Sequence, residues 1–259
     1  MRSRLLPTIL ISAAATLPAC QNVSPQQRVL LAQGEDAYAR QRYTAAVMHL
    51  TQYIDDVGHQ PAAARAHYVR GMSRAFLGER AHAYADLEHA VQLADQPDIA
   101  WRAHAVLGVL HFEDQDWTAA AQAFKNAITT MPAVPPMDAL LYRQGLCLER
   151  GGRWPASKAA YRRITETFPS GRYAELARRR LQLDADHFAI QAGVFSSAQR
   201  AAERAEELDA AGLTAFVRQE MRGDENYHVV RVGRFDSYDE AIGMLARVRT
   251  FVPDAQVWP

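Results

Sequence analysis

Four glycines, Gly34, Gly71, Gly108 and Gly145, recur at a constant interval of 37 residues. Nine positions after them stand Tyr43, Arg80, Trp117 and Trp154. Ala46, Ala83, Ala120 and Ser157 follow three further on, and Leu50, Leu87, Phe124 and Tyr161 four beyond those. Pro132 and Pro169 close the third and fourth copies. A small residue in one helix lets a second helix approach closely, and a large apolar residue fills the gap between them. One such hairpin cannot bury its own apolar face, so several must stack, with a capping helix at the end. The pattern therefore predicts an all-α array over residues 24–183, with Tyr173, Leu176, Ala177, Arg180 and Leu181 supplying the cap.

The order glycine, aromatic, alanine, large apolar, proline resembles the tetratricopeptide (TPR) repeat, whose usual period is about 34 residues. The extra length falls in turns such as His59-Gln60-Pro61 and Ala133-Val134-Pro135. The resemblance implies that the first helix of each repeat lines a concave surface. That surface would receive Leu31, Glu35 and Tyr38, then Tyr68, Met72 and Phe76, then Val109 and Phe112, then Tyr142, Leu146 and Glu149. Tyr38, Tyr68, Met72, Phe76, Phe112 and Tyr142 would form an apolar, aromatic groove for an extended peptide or helix of another protein, since aromatics anchor a ligand at low entropic cost. The alternative is that these residues pack against one another. The Arg178-Arg179-Arg180 run reads as a solvated helix face or as a contact with anionic wall or lipid groups.

The C-terminal stretch carries one half-motif twice. Ile190-Gln191-Ala192-Gly193-Val194-Phe195 is echoed 40 residues later by Val230-Arg231-Val232-Gly233-Arg234-Phe235. Phe188 to Ala192 alternates at period two, as a half-buried strand does. Ser196 and Asp236 are candidate N-caps. Ala201, Ala205 and Leu208, and then Ala241, Leu245 and Val248, recur at helical spacing. Thr214 to Val217 and Ala255 to Trp258 supply closing strands. The sum is a βαββαβ fold with both helices on one face of a four-stranded sheet.

Residues 184–259 thus resemble a SPOR (sporulation-related repeat) domain, through Ile190-Gln191, Gly193-x-Phe195 and Tyr227-x-Val229-x-Arg231-Val232-Gly233-x-Phe235. Val194 and Arg234 depart from the small polar residue and the proline common in that family. The resemblance implies a ferredoxin- or RNP-like module of the bacterial envelope that binds peptidoglycan, preferably glycan strands stripped of stem peptides at division septa. Alternation puts Phe188, Ile190 and Ala192 on the core side of the first strand, and His187, Ala189 and Gln191 on the other. Tyr227, Val229 and Arg231 face the same way as Gln191, joined by Phe216, Arg218, Gln256 and Trp258. Gln191, Arg231, Tyr227, Phe216, Trp258 and Gln256 are the candidate glycan contacts: amide and guanidinium donors suit sugar hydroxyl and N-acetyl oxygens, and Phe216 or Trp258 could stack on a pyranose.

The first residues set the expected compartment. Arg2 and Arg4 precede an apolar run, Leu5 to Leu17, too short to span a bilayer permanently. Leu17-Pro18-Ala19-Cys20 resembles a bacterial lipobox. That implies cleavage after residue 19, acylation of Cys20 and a stable membrane anchor through several chains. Gln21 after the cysteine favours the periplasmic side of the outer membrane. The alternative is an ordinary signal peptide with an incidental cysteine. Cys147 is the one other cysteine, and it falls in a packed helix, as a small buried residue does.

The chain carries 29 basic and 29 acidic residues, and residues 184–259 hold eight arginines against thirteen carboxylates, a net charge of −5. That acidity, with no basic aromatic motif on the third strand, excludes the RNA-recognition reading of a βαββαβ fold. No nucleic-acid partner, metal or cofactor is expected. The nine histidines are scattered, and no His-Glu-x-x-His, Gly-x-Ser-x-Gly or phosphate-binding glycine loop occurs. Carboxylates are expected on exposed helix faces. The expected function is a non-enzymatic, lipid-anchored peptidoglycan binder whose TPR groove recruits an envelope or divisome protein. The competing reading is a TPR scaffold for outer-membrane assembly or Tol-Pal-type envelope constriction, in which the SPOR module serves localisation only.

Overall fold

The structure is a computed structural model that describes residues 23–259. The expected signal segment, 1–19, and the acylation site Cys20 lie outside the described residues. The chain divides into two compact units that part after Gln144.

The first unit holds three helical hairpins: α1 (Pro25–Ala39) with α2 (Tyr43–Val57), α3 (Ala64–Leu77) with α4 (Arg80–Leu93), and α5 (Pro97–Glu113) with α6 (Trp117–Thr130). It ends within α7 (Met137–Arg150). The first helix starts on a capping box: the Ser24 hydroxyl accepts from the Gln27 backbone N–H, and the Gln27 side chain accepts in return from the Ser24 N–H. Pro25 at the first helical position costs nothing, because its missing N–H would have been unpaired anyway. Tyr43, Arg80 and Trp117 are the first residues of α2, α4 and α6.

The repeating glycines do what their spacing implied. A Cβ on Gly108 would stand 2.7 Å from the Phe124 ring, and one on Gly71 3.0 Å from Leu87 Cγ. Gly34 meets Leu50 in the same way. Leu50, Leu87 and Phe124 are fully buried, as are Ala46, Ala83 and Ala120. Arg80, where the other repeats have an aromatic residue, ties the α3/α4 hairpin to the end of α5. Its guanidinium donates to Glu113 and Asp114 and to the Leu110 carbonyl, a favourable place for a cation at a helix C-terminus.

The second unit, Gly145–Pro259, contains the end of α7, α8 (Trp154–Thr167), α9 (Arg172–Leu183) and the sheet module. Gly145 lies against Tyr161, continuing the glycine series. Cys147 is buried. Glu149 is buried too, accepting from the Tyr161 hydroxyl at 3.0 Å and from Arg180 at 2.9 Å. Burial pushes its carboxyl above the ordinary range despite the Arg180 charge and the Tyr161 hydrogen bond. A raised acid pKa makes ionisation the costly state. Glu149 therefore favours the fold below its unfolded pKa, and that contribution fades as pH rises through the raised folded value. Glu149→Gln, which keeps an acceptor for Tyr161, is expected to flatten this slope. Melting temperatures of variant and parent between about pH 4 and pH 8 measure it.

In the module, β1 (Phe188–Phe195), α10 (Ala198–Ala210), β2 (Ala215–Arg222), β3 (Glu225–Phe235), α11 (Tyr238–Arg249) and β4 (Gln256–Trp258) follow in order. The sheet is antiparallel with order β2-β3-β1-β4, so strands one and three are central. Ile190, Ala192, Val230 and Val232 pack with Ala201, Ala205, Leu208, Leu245 and Val248 of the two helices in one core. The caps differ from those expected: Ser197 and Ser237, not Ser196 and Asp236, accept from the first turns. Asp236 instead gives its backbone N–H to the Glu240 carboxylate, so the acidic first turn of α11 takes up the donor just before the cap.

Candidate functional site

The sheet face away from α10 and α11 is where the candidate glycan contacts meet. Residues directly opposite in an antiparallel pair share a face. Phe216 lies opposite Arg231, Arg231 opposite Gln191, and Gln191 opposite Gln256. Four of the six candidates thus form one row running straight across all four strands. Trp258 sits one step along, opposite Ala189. Tyr227 lies toward the far end of β3 and hydrogen-bonds Glu225.

The chemistry of the row differs in one respect from the sequence expectation. Arg231 is 0% exposed and is not an open donor on the face. Its guanidinium carbon lies 3.5 Å from the centre of the Trp258 ring, and its terminal nitrogen pairs with the Glu220 carboxylate. A desolvated cation stacked on an indole and paired with a carboxylate is a rigid floor. Trp258 is correspondingly half-buried, one ring face taken by arginine. Around that floor Gln256 is exposed, and Gln191 and Phe216 are half-buried. Two amides and an aromatic edge at solvent, set on a fixed base, can exchange several hydrogen bonds with a chain of hydroxyl and acetamido groups. The sequence carried one signal of the floor: Arg231 interrupts the apolar run Val229-Val230-Arg231-Val232. A charge inside a central strand needs partners there.

The helical candidates divide. Tyr68 is only 3% exposed, and Met72 is buried beside it, so both belong to the core of the first unit and not to a groove surface. Phe76 is 41% exposed. It stacks on Tyr43 with ring centres 4.6 Å apart, and Tyr38 packs at the edge of that pair. Phe112 is half-buried and meets Trp117 edge-on at 5.3 Å. Tyr142 is half-buried. Glu35, expected along the same surface, pairs with Arg65.

A second polar cluster was missed altogether. The histidines read as scattered along the sequence, yet His67, Asp86 and His89 come together between α3 and α4, their ligand atoms within 4.8 Å of one another. This is the one such group among the described residues. Asp86 also receives Arg70 at 2.6 Å and Arg74 at 2.7 Å. Two guanidiniums on one carboxylate supply the charge that a metal would bring, which makes the cluster an internal ion network. Burial alone would raise the Asp86 carboxyl, but the hydrogen bonds from His67 and Arg70 and the charges of Arg70 and Arg74 outweigh it and hold it below the ordinary range. No helix among the described residues is long and apolar enough to cross a membrane.

Comparison with known proteins bears on the two parts of the fold. No curated protein sequence matches the chain. Among solved structures, "MamA RS-1 ArsTM double mutant" aligns at 15% identity over 73% of this chain and 97% of its own, with a TM-score of 0.51. "MamA 41-end from Desulfovibrio magneticus RS-1" aligns at 15% identity over the same shares, with a TM-score of 0.50. At these identities the likeness concerns the helical repeat fold alone. The family models match "SPOR domain" over residues 184–257 and "Tetratricopeptide repeat" over residues 138–171. The chain thus carries a SPOR domain at 184–257 and a tetratricopeptide repeat at 138–171 within a TPR-like helical fold, a combination that implies peptidoglycan binding by the sheet module and protein interaction by the helices.

Proposed function

We propose that this chain is a non-enzymatic envelope lipoprotein, acylated at Cys20 and held on the periplasmic side of the outer membrane. It binds peptidoglycan glycan strands, preferably the denuded strands of division septa, through the open face of its SPOR sheet. Its helical repeats recruit a further envelope or divisome protein. The observation that carries the reading is the transverse row Phe216–Arg231–Gln191–Gln256 on the face opposite the two helices, where Gln191, Gln256 and Phe216 reach solvent over buried Ala189, Val229 and Arg231. Its length across four strands, roughly 14 Å at about 4.8 Å per step, suits a stretch of a few sugar residues lying over the sheet. The recruiting surface in this reading centres on Phe76 with Tyr38, because these aromatics are packed in place yet reach solvent. Sacculus co-sedimentation tests the glycan part. Gln191→Ala/Gln256→Ala removes the two solvent-facing amides and spares the buried floor. At about 0.5–1.5 kcal/mol per hydrogen bond, the loss is expected to weaken binding about tenfold. Parent-like co-sedimentation by the folded double variant would rule the row out as the site.

A further inference from the structure

The four-stranded sheet has two edges of very different character. β4 is three residues long. β2 runs from Ala215 to Arg222, pairs with β3 in an unbroken register and has nothing paired on its outer side in the sheet order. Edge strands are ordinarily protected by brevity, bulges, proline or charged side chains, lysine above all. β2 is long and unbulged, and its sequence Ala-Phe-Val-Arg-Gln-Glu-Met-Arg contains neither proline nor lysine; its charges are of both signs, at Arg218, Glu220 and Arg222, and alternate with Val217, Gln219 and Met221. Two of its apolar side chains stand in solvent: Val217 is 39% exposed and Met221 65%.

The direction of the free backbone groups follows from the ladder. The Gly233 N–H donates to the Thr214 carbonyl at 2.8 Å, so Thr214 points its backbone groups toward β3. Hydrogen-bonding direction alternates along an antiparallel strand. Residues 216, 218 and 220 therefore also bond inward, while Val217, Gln219 and Met221 offer their N–H and C=O groups outward; the outward N–H of Ala215 is already taken by the Asp209 carboxylate at 2.8 Å. The closing turn, with Gly223 at φ 64° in its first central position, fits this phase, because a two-residue hairpin turn is closed by a hydrogen-bonded pair.

We propose that β2 is a homodimerisation edge, pairing antiparallel with β2 of a second copy about a two-fold axis at Gln219. The strand is self-complementary in that register. Gln219 faces its own copy, and Val217 faces Met221 on both sides of the axis, apolar against apolar. Arg218 faces Glu220 on both sides, cation against carboxylate. All three outward-bonding residues around the axis meet outward-bonding partners. The neighbouring registers fail on charge: an axis at Arg218 sets that arginine against itself, and an axis at Glu220 does the same with glutamate. Like charges directly opposite destabilise a pair, and opposite charges stabilise it. The occupant is thus a second copy of this chain, by charge and shape together. A two-fold axis normal to the sheet joins eight strands and leaves both open faces on the same side. Such a pair would offer two copies of the Gln191 row to one surface and gain avidity from it; the dimer itself does not depend on what the row binds.

A cysteine scan tests the register. In the chain from Gln21 onward, which holds every described residue, Val217, Gln219 and Met221 are each replaced by cysteine and treated with a short bis-methanethiosulfonate, which joins two thiols and releases two sulfinates. The register brings the two copies of residue 219 to about 5.5 Å between Cα atoms. It holds the copies of 217, and those of 221, about 13 Å apart along the strands. Gln219→Cys is therefore expected to cross-link several-fold more efficiently than the other two. Light scattering is expected to give a doubled mass for the parent chain at micromolar concentration. Val217→Lys/Met221→Lys, which sets lysine against lysine, is expected to return the monomer mass with an unchanged far-UV spectrum. A parent that stays monomeric, a dimer that survives the double-lysine substitution, or cross-linking no stronger at 219 than at 217 would each overturn the proposal.

Discussion

Replacing Asp86 with alanine is expected to destabilise the first unit by about 3–5 kcal/mol, the range for breaking a buried, paired charge. The side chain is 2% exposed and is held from α3 by Arg70, Arg74 and His67. Removing the carboxylate leaves two guanidiniums close together with little access to water, and their repulsion adds to the cost of their lost partner. Asp86→Asn, which keeps the shape and one acceptor, should cost less. The sign of the pH dependence follows from the lowered carboxyl pKa. The contribution is fully present above the unfolded value of about 3.9 and is lost as pH falls through the lower folded value. Denaturant melts at neutral pH give the size of the effect. The same melts on acidification should show the parent losing stability where Asp86→Asn stays level. A change in the alanine variant under about 1 kcal/mol would mean that water reaches the arginines and that the pair is worth no more than a surface one.

The sequence reading placed carboxylates on exposed helix faces, and Asp86 shows why that failed. Within α4 the residue stands among Arg80, His82 and Glu88, and nothing local distinguishes it from them. Its burial comes from the residues that α3 carries on the facing side, His67 and Arg70, nineteen and sixteen positions away. Local periodicity cannot report such a pairing. Glu149 was hidden in the same way, since its partners Tyr161 and Arg180 lie on α8 and α9.

The glycine series was legible because it records a contact that recurs. Gly34, Gly71 and Gly108 each accept one large side chain from the next helix, and repetition at fixed spacing separates this from chance. The sheet was legible because period-two alternation assigns each strand residue a face. Burial was not, because it depends on what lies above that face. Arg231 falls on the side the alternation gives, yet Trp258 and Glu220 close over it. Tyr68 and Met72 fall on the first helix of their repeat, yet neighbouring side chains cover them.

Trp154 supports the second large expectation. It is the first residue of α8, the position held by Tyr43, Arg80 and Trp117 in the earlier hairpins. Here the ring does more than close a hairpin: it packs on Phe188 of β1 with ring centres 4.8 Å apart, in a cluster with Ala185 and Ala241. Arg150 lies over the Tyr238 ring at 4.7 Å, and Lys158 pairs with Asp184. Gly152 adopts φ 72°, and a Cβ there would strike the Asp236 carbonyl oxygen. The segment Asp184-Ala185-Asp186 is thus no free linker, since Ala185 is itself in the core. Truncating a buried tryptophan costs about 3–5 kcal/mol. The module's main core, built from Ile190, Val230, Val232, Leu208 and Val248, is a second cluster that meets the junction through half-buried Phe235 and Val257. Trp154→Ala is therefore expected to release the junction while the sheet stays folded. Native-state hydrogen exchange resolves the two. Amides of residues 185–188 and 238–241 should exchange faster by about two to three and a half orders of magnitude, the equilibrium factor of that energy, while the central amides of β1 and β3 keep their protection. Uniform loss of protection across 184–259 would show that the SPOR module depends on α8 for its own stability. Unchanged exchange at 185–188 would show that the tryptophan does not fasten the junction.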